Sequence, residues 1–281
     1  MSQIEAILKR VDSIPPFPRV ARRIMEMLDN PDVTVPELAK VVEFDQAITA
    51  NVLRMCNSAY VGLARKVSSL EEALVLLGQD TLREIIVAGS CARFFQASTG
   101  GYDLDEGELW QHSVACGIMA KVLIAEIPGV DGNAAYTAAL LHDIGKTVLS
   151  SFVQQEFRAI MIRVLRDKVS FVSAELEVLG INHAELGGVI LERWKLPHEV
   201  VEAVRRHHDL DVLAGEPLSA LVALANALVV SMGIGVGADG LTGHIQGEGL
   251  GRFALTEERL DISMAELVAR LAQAKEFFAL E

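Results

Sequence analysis

Five of the seven histidines of this 281-residue chain stand in an ordered series with acids and a lysine: His112 in GELWQHSVACG, His142 in HDIGK, His183 in NHAELGG, and His207 with His208 in RRHHD. Each lies on or at the end of a segment with helical periodicity, so a helical bundle can bring the imidazoles to one point, as a metal ion requires. Glu108 precedes His112 by four residues on the same helix face and can set an oxygen ligand beside its nitrogen. Asp143 adjoins His142; its two oxygens can bridge two cations while the imidazole serves one of them. Lys146, one turn further, offers a positive charge to a phosphate, or else is a solvated helix-end lysine. Oxygen and nitrogen ligands without a thiolate favour Fe or Mn, one or two ions, over Zn. His198, after Pro197, and His244, in a glycine-rich stretch, read as ordinary surface or core histidines.

The elements that must position these groups read as helices throughout. Apolar residues recur at three- and four-residue spacing in VARRIMEMLDN, ELAKVVEFDQAITANVLRMCN and LEEALVLLGQDTLREIIVAGSCARFF. Aromatics make up 5% of the chain and apolar residues seldom alternate with period two, which leaves little material for a sheet. The expectation is an all-α, multi-helix bundle of roughly a dozen helices. Pro15, Pro16 and Pro18 precede one helix; Asp32 or Thr34 can cap the next. Asn57 and Gly78 read as helix ends, Asn57 in the left-handed conformation with its side chain closing on nearby backbone. Turn-forming residues at 96–108 mark a boundary. The expected organisation is an N-terminal helical lobe at 1–98, a histidine-bearing lobe at 103–232, and a mobile glycine-rich loop with a last amphipathic helix at 233–281.

A formal charge of −13 works against a broad nucleic-acid or anionic-membrane footprint. No secretory signal is read at the N-terminus, where Glu5, Lys9 and Arg10 precede any apolar run. LSALVALANALVVSMGIGVG carries Ser219, Asn226 and Ser231 and reads as a buried helix, not a membrane span. Cys56, Cys91 and Cys116 share no metal or redox spacing and read as reduced core residues. A cytoplasmic protein is expected.

The motifs IPPFP, ELAKVVEFDQAI, LRMCNSAY and SSLEEALVLLG followed by LREIIVAG resemble the HDOD family, helical signalling modules related to HD-domain phosphohydrolases. With HDIGK, the resemblance spans about residues 11–230. It implies an HD-domain-like bundle with an N-terminal HDOD lobe. The order Glu108, His112, His142, Asp143, Lys146, His183, His207, His208 is similar to that of the HD-GYP phosphodiesterases, which implies that these residues are metal ligands and that Lys146 stands beside the substrate phosphate. Two departures matter. The last ligating aspartate of that pattern is replaced by Asn226, a neutral and weaker ligand, and the GYP stretch is missing after RRHHD. Two functions follow. One is a regulatory protein that acts through a signalling protein partner or a nucleotide or phosphate ligand; the other is a metal-dependent phosphohydrolase with a nearly complete di-metal site, in which Lys146 is the catalytic charge. DNA binding through the helix-turn-helix-like spacing of the first lobe is disfavoured by the charge and by the lack of a basic recognition helix.

Overall fold

In the computed structural model the described residues are 2–58, 61–63, 65–95, 99–209, 211–242, 253 and 255–278, and among them every regular element is helical. One isolated bridge joins Thr99 to Leu104. The helices are α1 (Gln3–Asp12), α2 (Arg19–Leu28), α3 (Val35–Val42), α4 (Gln46–Cys56), α5 (Leu70–Phe95), α6 (Glu108–Leu123), α7 (Gly132–Leu141), α8 (Lys146–Ile162), α9 (Phe171–Leu179), α10 (His183–Arg193), α11 (His198–Arg206), α12 (Pro217–Ser231) and α13 (Glu257–Phe278). The class is all-α, as periodicity predicts. No helix of the described residues is long and apolar enough to cross a membrane.

The chain divides into two compact units, one formed by residues 16–93 and 268–281, the other by 1–15 and 94–267. In the first, α2 buries Ala21, Ile24 and Leu28 along one stripe. Thr34 caps α3 in a reciprocal box with Glu37, whose carboxylate accepts from Thr34 N at 2.9 Å. Asp45 caps α4, accepting from Ala47 N and Ile48 N at 3.0 and 3.1 Å. Asn57 departs from the expected left-handed end: its φ of −92° and ψ of 4° are right-handed. Its amide instead donates to Leu53 O and Val67 O and accepts from Val67 N, each within 2.8 Å, so the side chain alone fastens the helix end to the segment ten residues on. Gly78 interrupts α5 with φ 73° and ψ 173°, a conformation open essentially to glycine.

The second unit holds the histidines. α6 is buried on nearly all sides, and Ala115, Cys116, Gly117 and Ala120 keep its surface small enough for close neighbours. α12 buries nine residues, and Cys56, Cys91 and Cys116 are all buried free thiols. The packing also departs from the boundaries read in the sequence: α1 belongs with the histidine-bearing unit. It packs on α8, Asp12 pairs with Arg193, and Pro15 O accepts from Trp194 Nε1 at 3.1 Å.

Candidate metal centre

α7 ends at His142, and a turn through Asp143, Ile144 and Gly145 leads into α8 at Lys146. The turn is closed by Ile144 N to Leu141 O and Lys146 N to Asp143 O, at 3.0 and 2.9 Å. Glycine is required at 145 because the turn passes directly over the start of α10: a Cβ there would stand 2.0 Å from His183 O and 2.9 Å from Gly187 N. This approach brings His183, the first residue of α10, to HDIGK. His207 and His208 follow α11 directly, and His112 comes from the first turns of α6.

Asp143 is the centre of the arrangement and is fully buried. Its Oδ2 lies 2.7 Å from Lys146 Nζ, 3.3 Å from His142 Nε2 and 3.7 Å from His112 Nε2. Its Oδ1 lies 3.4 Å from His183 Nε2 and 4.0 Å from His207 Nε2. Burial alone would raise the Asp143 carboxyl, but His142 and Lys146 outweigh it and hold the group well below the usual carboxylate range. Burial likewise opposes the charge on Lys146, and Asp143 with Asp239 overrides it, so the ammonium is retained.

Three imidazoles are tethered through Nδ1, which leaves Nε2 as the outward end. His142 Nδ1 donates to Ala139 O at 2.7 Å, His207 Nδ1 to Val204 O at 2.6 Å, and His183 Nδ1 to Glu175 Oε2 at 2.7 Å. A neutral imidazole that donates from Nδ1 carries its lone pair on Nε2. His142 Nε2, His207 Nε2 and Asp143 Oδ1 are buried without a hydrogen-bond partner. Such orphaned acceptors in an interior are costly. Three of them facing each other form a donor set that a divalent cation satisfies, and the ligand atoms of His142, Asp143 and His207 lie within 4.8 Å of one another. His183, His207 and His208 form a second such group. His208 is exposed as a residue, with Nε2 3.1 Å from His183 Nε2.

His112 is satisfied differently. Its Nδ1 faces Ile234 O at 2.9 Å, while Nε2 faces Cys116 Sγ at 3.5 Å and the Asn226 amide at 3.1 Å. Burial pushes its pKa down to about 4, so the ring is neutral and Nε2 accepts. The Cys116 thiol, held far above its ordinary pKa by burial, remains a donor to it, and Asn226 Oδ1 lies 3.1 Å from the same nitrogen. Asn226 therefore binds a ligand residue and not Asp143. Glu108 is the one expected ligand drawn elsewhere: its Oε2 accepts from Asp105 N at 2.8 Å and closes the loop before α6. His198 is exposed, and His244 lies outside the described residues.

Four groups at the site carry no obvious sequence signature. Glu175, fully buried on α9, accepts from His183 Nδ1, from His183 N at 3.2 Å and from the Tyr102 hydroxyl. Burial and the neighbouring Glu175 hold the Tyr102 phenol well above its ordinary pKa, so it stays a donor. Glu175 also raises His183 against the opposing effect of burial. Cys116 is the third group, and Asp239, whose Oδ2 lies 2.6 Å from Lys146 Nζ, is the fourth. Glu175 was the discoverable one: Phe171, Ala174, Glu175 and Leu179 form the buried stripe of α9, and an acid in such a stripe needs a partner.

The HDOD domain family matches residues 14–210. A curated protein of Treponema pallidum (strain Nichols), uncharacterized, is 28% identical over 229 residues, covering 80% of this chain and 44% of its own. A Ribonuclease Y of Thermus thermophilus is 32% identical over 162 residues, covering 57% of this chain and 23% of its own. The chain thus spans less than half the length of these curated relatives. A crystal structure of an HDOD domain protein of unknown function from Geobacter sulfurreducens superposes with a TM-score of 0.71 at 26% identity, over 99% of this chain and 95% of the other.

Proposed function

On the premise that the chain belongs to the HDOD domain family, we propose that it is a regulatory protein of signal transduction whose histidine-bearing unit holds a divalent metal ion. The observation that carries this reading is the set of buried, unpartnered acceptors at His142 Nε2, Asp143 Oδ1 and His207 Nε2. A protein interior does not leave three such atoms face to face without something to bind them. His142, Asp143, His183 and His207 would hold the ion, with His208 at the rim and His112 held in reserve by Cys116 and Asn226. Glu108 would serve only if its bond to Asp105 N were given up. Nitrogen and carboxylate donors suit Fe or Mn, with Zn less favoured. When bound, the ion supplies Lewis acidity and a fixed positive charge in a buried pocket. The chain's own residues do the rest: Ala139 O, Val204 O and Glu175 orient the imidazoles, and Lys146 balances Asp143.

Regulation through a protein partner is the output we assign. Phe44, 85% exposed at the turn between α3 and α4, is an apolar side chain that the fold does not use and a partner can. The second reading, a metal-dependent phosphohydrolase, draws on Lys146 beside the donor set and on the likeness to Ribonuclease Y. Against it stands Asn226, which removes an anionic ligand.

The test uses the full chain, chelator-treated and then titrated with Mn(II), Fe(II) or Zn(II), with melting temperature and hydrolysis of bis-p-nitrophenyl phosphate read on the same samples. The regulatory reading predicts a metal-dependent rise in melting temperature with no turnover, and still none in Asn226→Asp. Turnover that rises strongly in Asn226→Asp would make the scaffold a hydrolase lacking one ligand, and no thermal response to any metal would remove both readings.

A further inference from the structure

Lys146 pairs with Asp143 in the pocket, and a second acid already occupies it. After α12 the chain runs back over the site through residues 232–242, ending in a short 3-10 helix at Ala238–Thr242. It touches the bundle at three points, two of which leave no room for a side chain. Ile234 O faces His112 Nδ1 at 2.9 Å. A Cβ on Gly235 would stand 2.6 Å from Glu108 O and 2.8 Å from His112 Cβ, and one on Gly237 would stand 2.4 Å from Tyr102 O. This laid-down segment delivers the Asp239 carboxylate, 10% exposed, to within 2.6 Å of Lys146 Nζ. The same ammonium lies 2.7 Å from Asp143 Oδ2 and 5.4 Å from the centroid of the Tyr102 ring. Its surroundings are therefore filled by two carboxylates and an aromatic face, one positive charge against two negative.

We propose that Asp239 is a built-in competitor for the anion subsite: its carboxylate occupies the place on Lys146 that a phosphate group of a ligand would take, and such a ligand binds only by displacing it. This rests on the reading of Lys146 as the phosphate-facing charge of the pocket. Two consequences follow from the charges. A phosphate entering without displacing Asp239 would meet that carboxylate on Lys146, a like charge that excludes weakly binding anions. A phosphate that does displace it frees the 232–242 segment at Asp239 and thereby disturbs the contacts to His112 and Tyr102, so ligand binding is reported at the surface of the histidine-bearing unit. Asp239 thus acts as a specificity-determining residue and couples occupancy to the conformation of one segment.

The measurement is the affinity of the full chain for inorganic phosphate by titration calorimetry, on protein as purified, for the wild type, Asp239→Ala, Asp239→Asn and the double variant Asp239→Ala with Lys146→Met. The expected result is an affinity at least ten-fold higher in Asp239→Ala, a rise of the same direction in Asp239→Asn, which keeps the shape and loses the charge, and loss of the gain in the double variant. Unchanged or weaker phosphate binding in both single variants would overturn the proposal, as would a gain that survives removal of Lys146. Metal content, read on the same preparations, reports on the metal reading alone: a chain without metal whose phosphate affinity still rises on loss of Asp239 would retain the competitor and lose the metal centre.

Discussion

At the scale of single residues, the site turns on which nitrogen of each imidazole is held and which is offered. Glu175 illustrates this, since one buried carboxylate takes the Nδ1 proton of His183, the backbone N–H of the same residue and the Tyr102 hydroxyl. Glu175→Gln keeps the shape and removes the charge that fixes the ring. Metal affinity is expected to fall about 10- to 100-fold, as for other partners of metal-bound histidines, with the fold retained by circular dichroism. An unchanged affinity would show that His183 needs no such partner. His112 gives a pH-dependent prediction. Its folded pKa of about 4 lies below the ordinary histidine value of about 6.5. Between these values the unfolded chain binds the proton and the folded one does not, so this contribution is complete above pH 6.5 and is lost as pH falls to 4. Chelator-treated wild type should lose about 3 kcal/mol relative to His112→Gln over that range in urea denaturation, and parallel curves for the two would contradict it. The convergence of His112, His142, His183, His207 and His208 on Asp143 was legible because their residue types and order stand out in the sequence. Tyr102 and Asp239 were not, because their roles arise only when the fold brings them to Glu175, 73 residues away, and to Lys146.

At the scale of elements, the site depends on how closely two helix ends approach. Gly145 stands over His183 O, so Gly145→Ala must push α10 away from the HDIGK turn. We expect a loss of about 1–3 kcal/mol in chemical denaturation together with weaker metal binding, because His183 moves with α10. A variant as stable as the wild type and with full metal affinity would mean that the turn adapts without cost. Helix positions, the cap at Thr34 and the break at Gly78 follow from periodicity, capping chemistry and glycine's conformational range, all local properties visible in sequence. The end of α4 did not follow, since Asn57 bonds a segment ten residues away and so escapes the left-handed conformation its type suggests. Nor did the first part of the glycine-rich stretch expected as a mobile loop, since residues 234–239 lie against α6 and Lys146, a placement that depends on surfaces built by distant helices, while residues 243–251 of the stretch lie outside the described residues.

At the scale of the whole molecule, the all-α class was readable because 5% aromatics and three-to-four periodicity leave no sheet to build. The grouping of α1 with the histidine-bearing unit was not, because it rests on Asp12 meeting Arg193 and Pro15 meeting Trp194, contacts 181 and 179 residues apart in sequence. The family match covers residues 14–210, while Asn226 and Asp239, which also stand at the site, lie beyond it. The function of this HDOD protein therefore hinges on whether a nearly complete donor set still holds an ion. Elemental analysis of the chain purified without chelator, beside His142→Ala and Asp143→Ala, tests this most directly. Close to one Fe or Mn per wild-type chain, or more, is expected, with loss of that metal in both variants. A wild-type protein free of metal, no less stable than either variant, would contradict it.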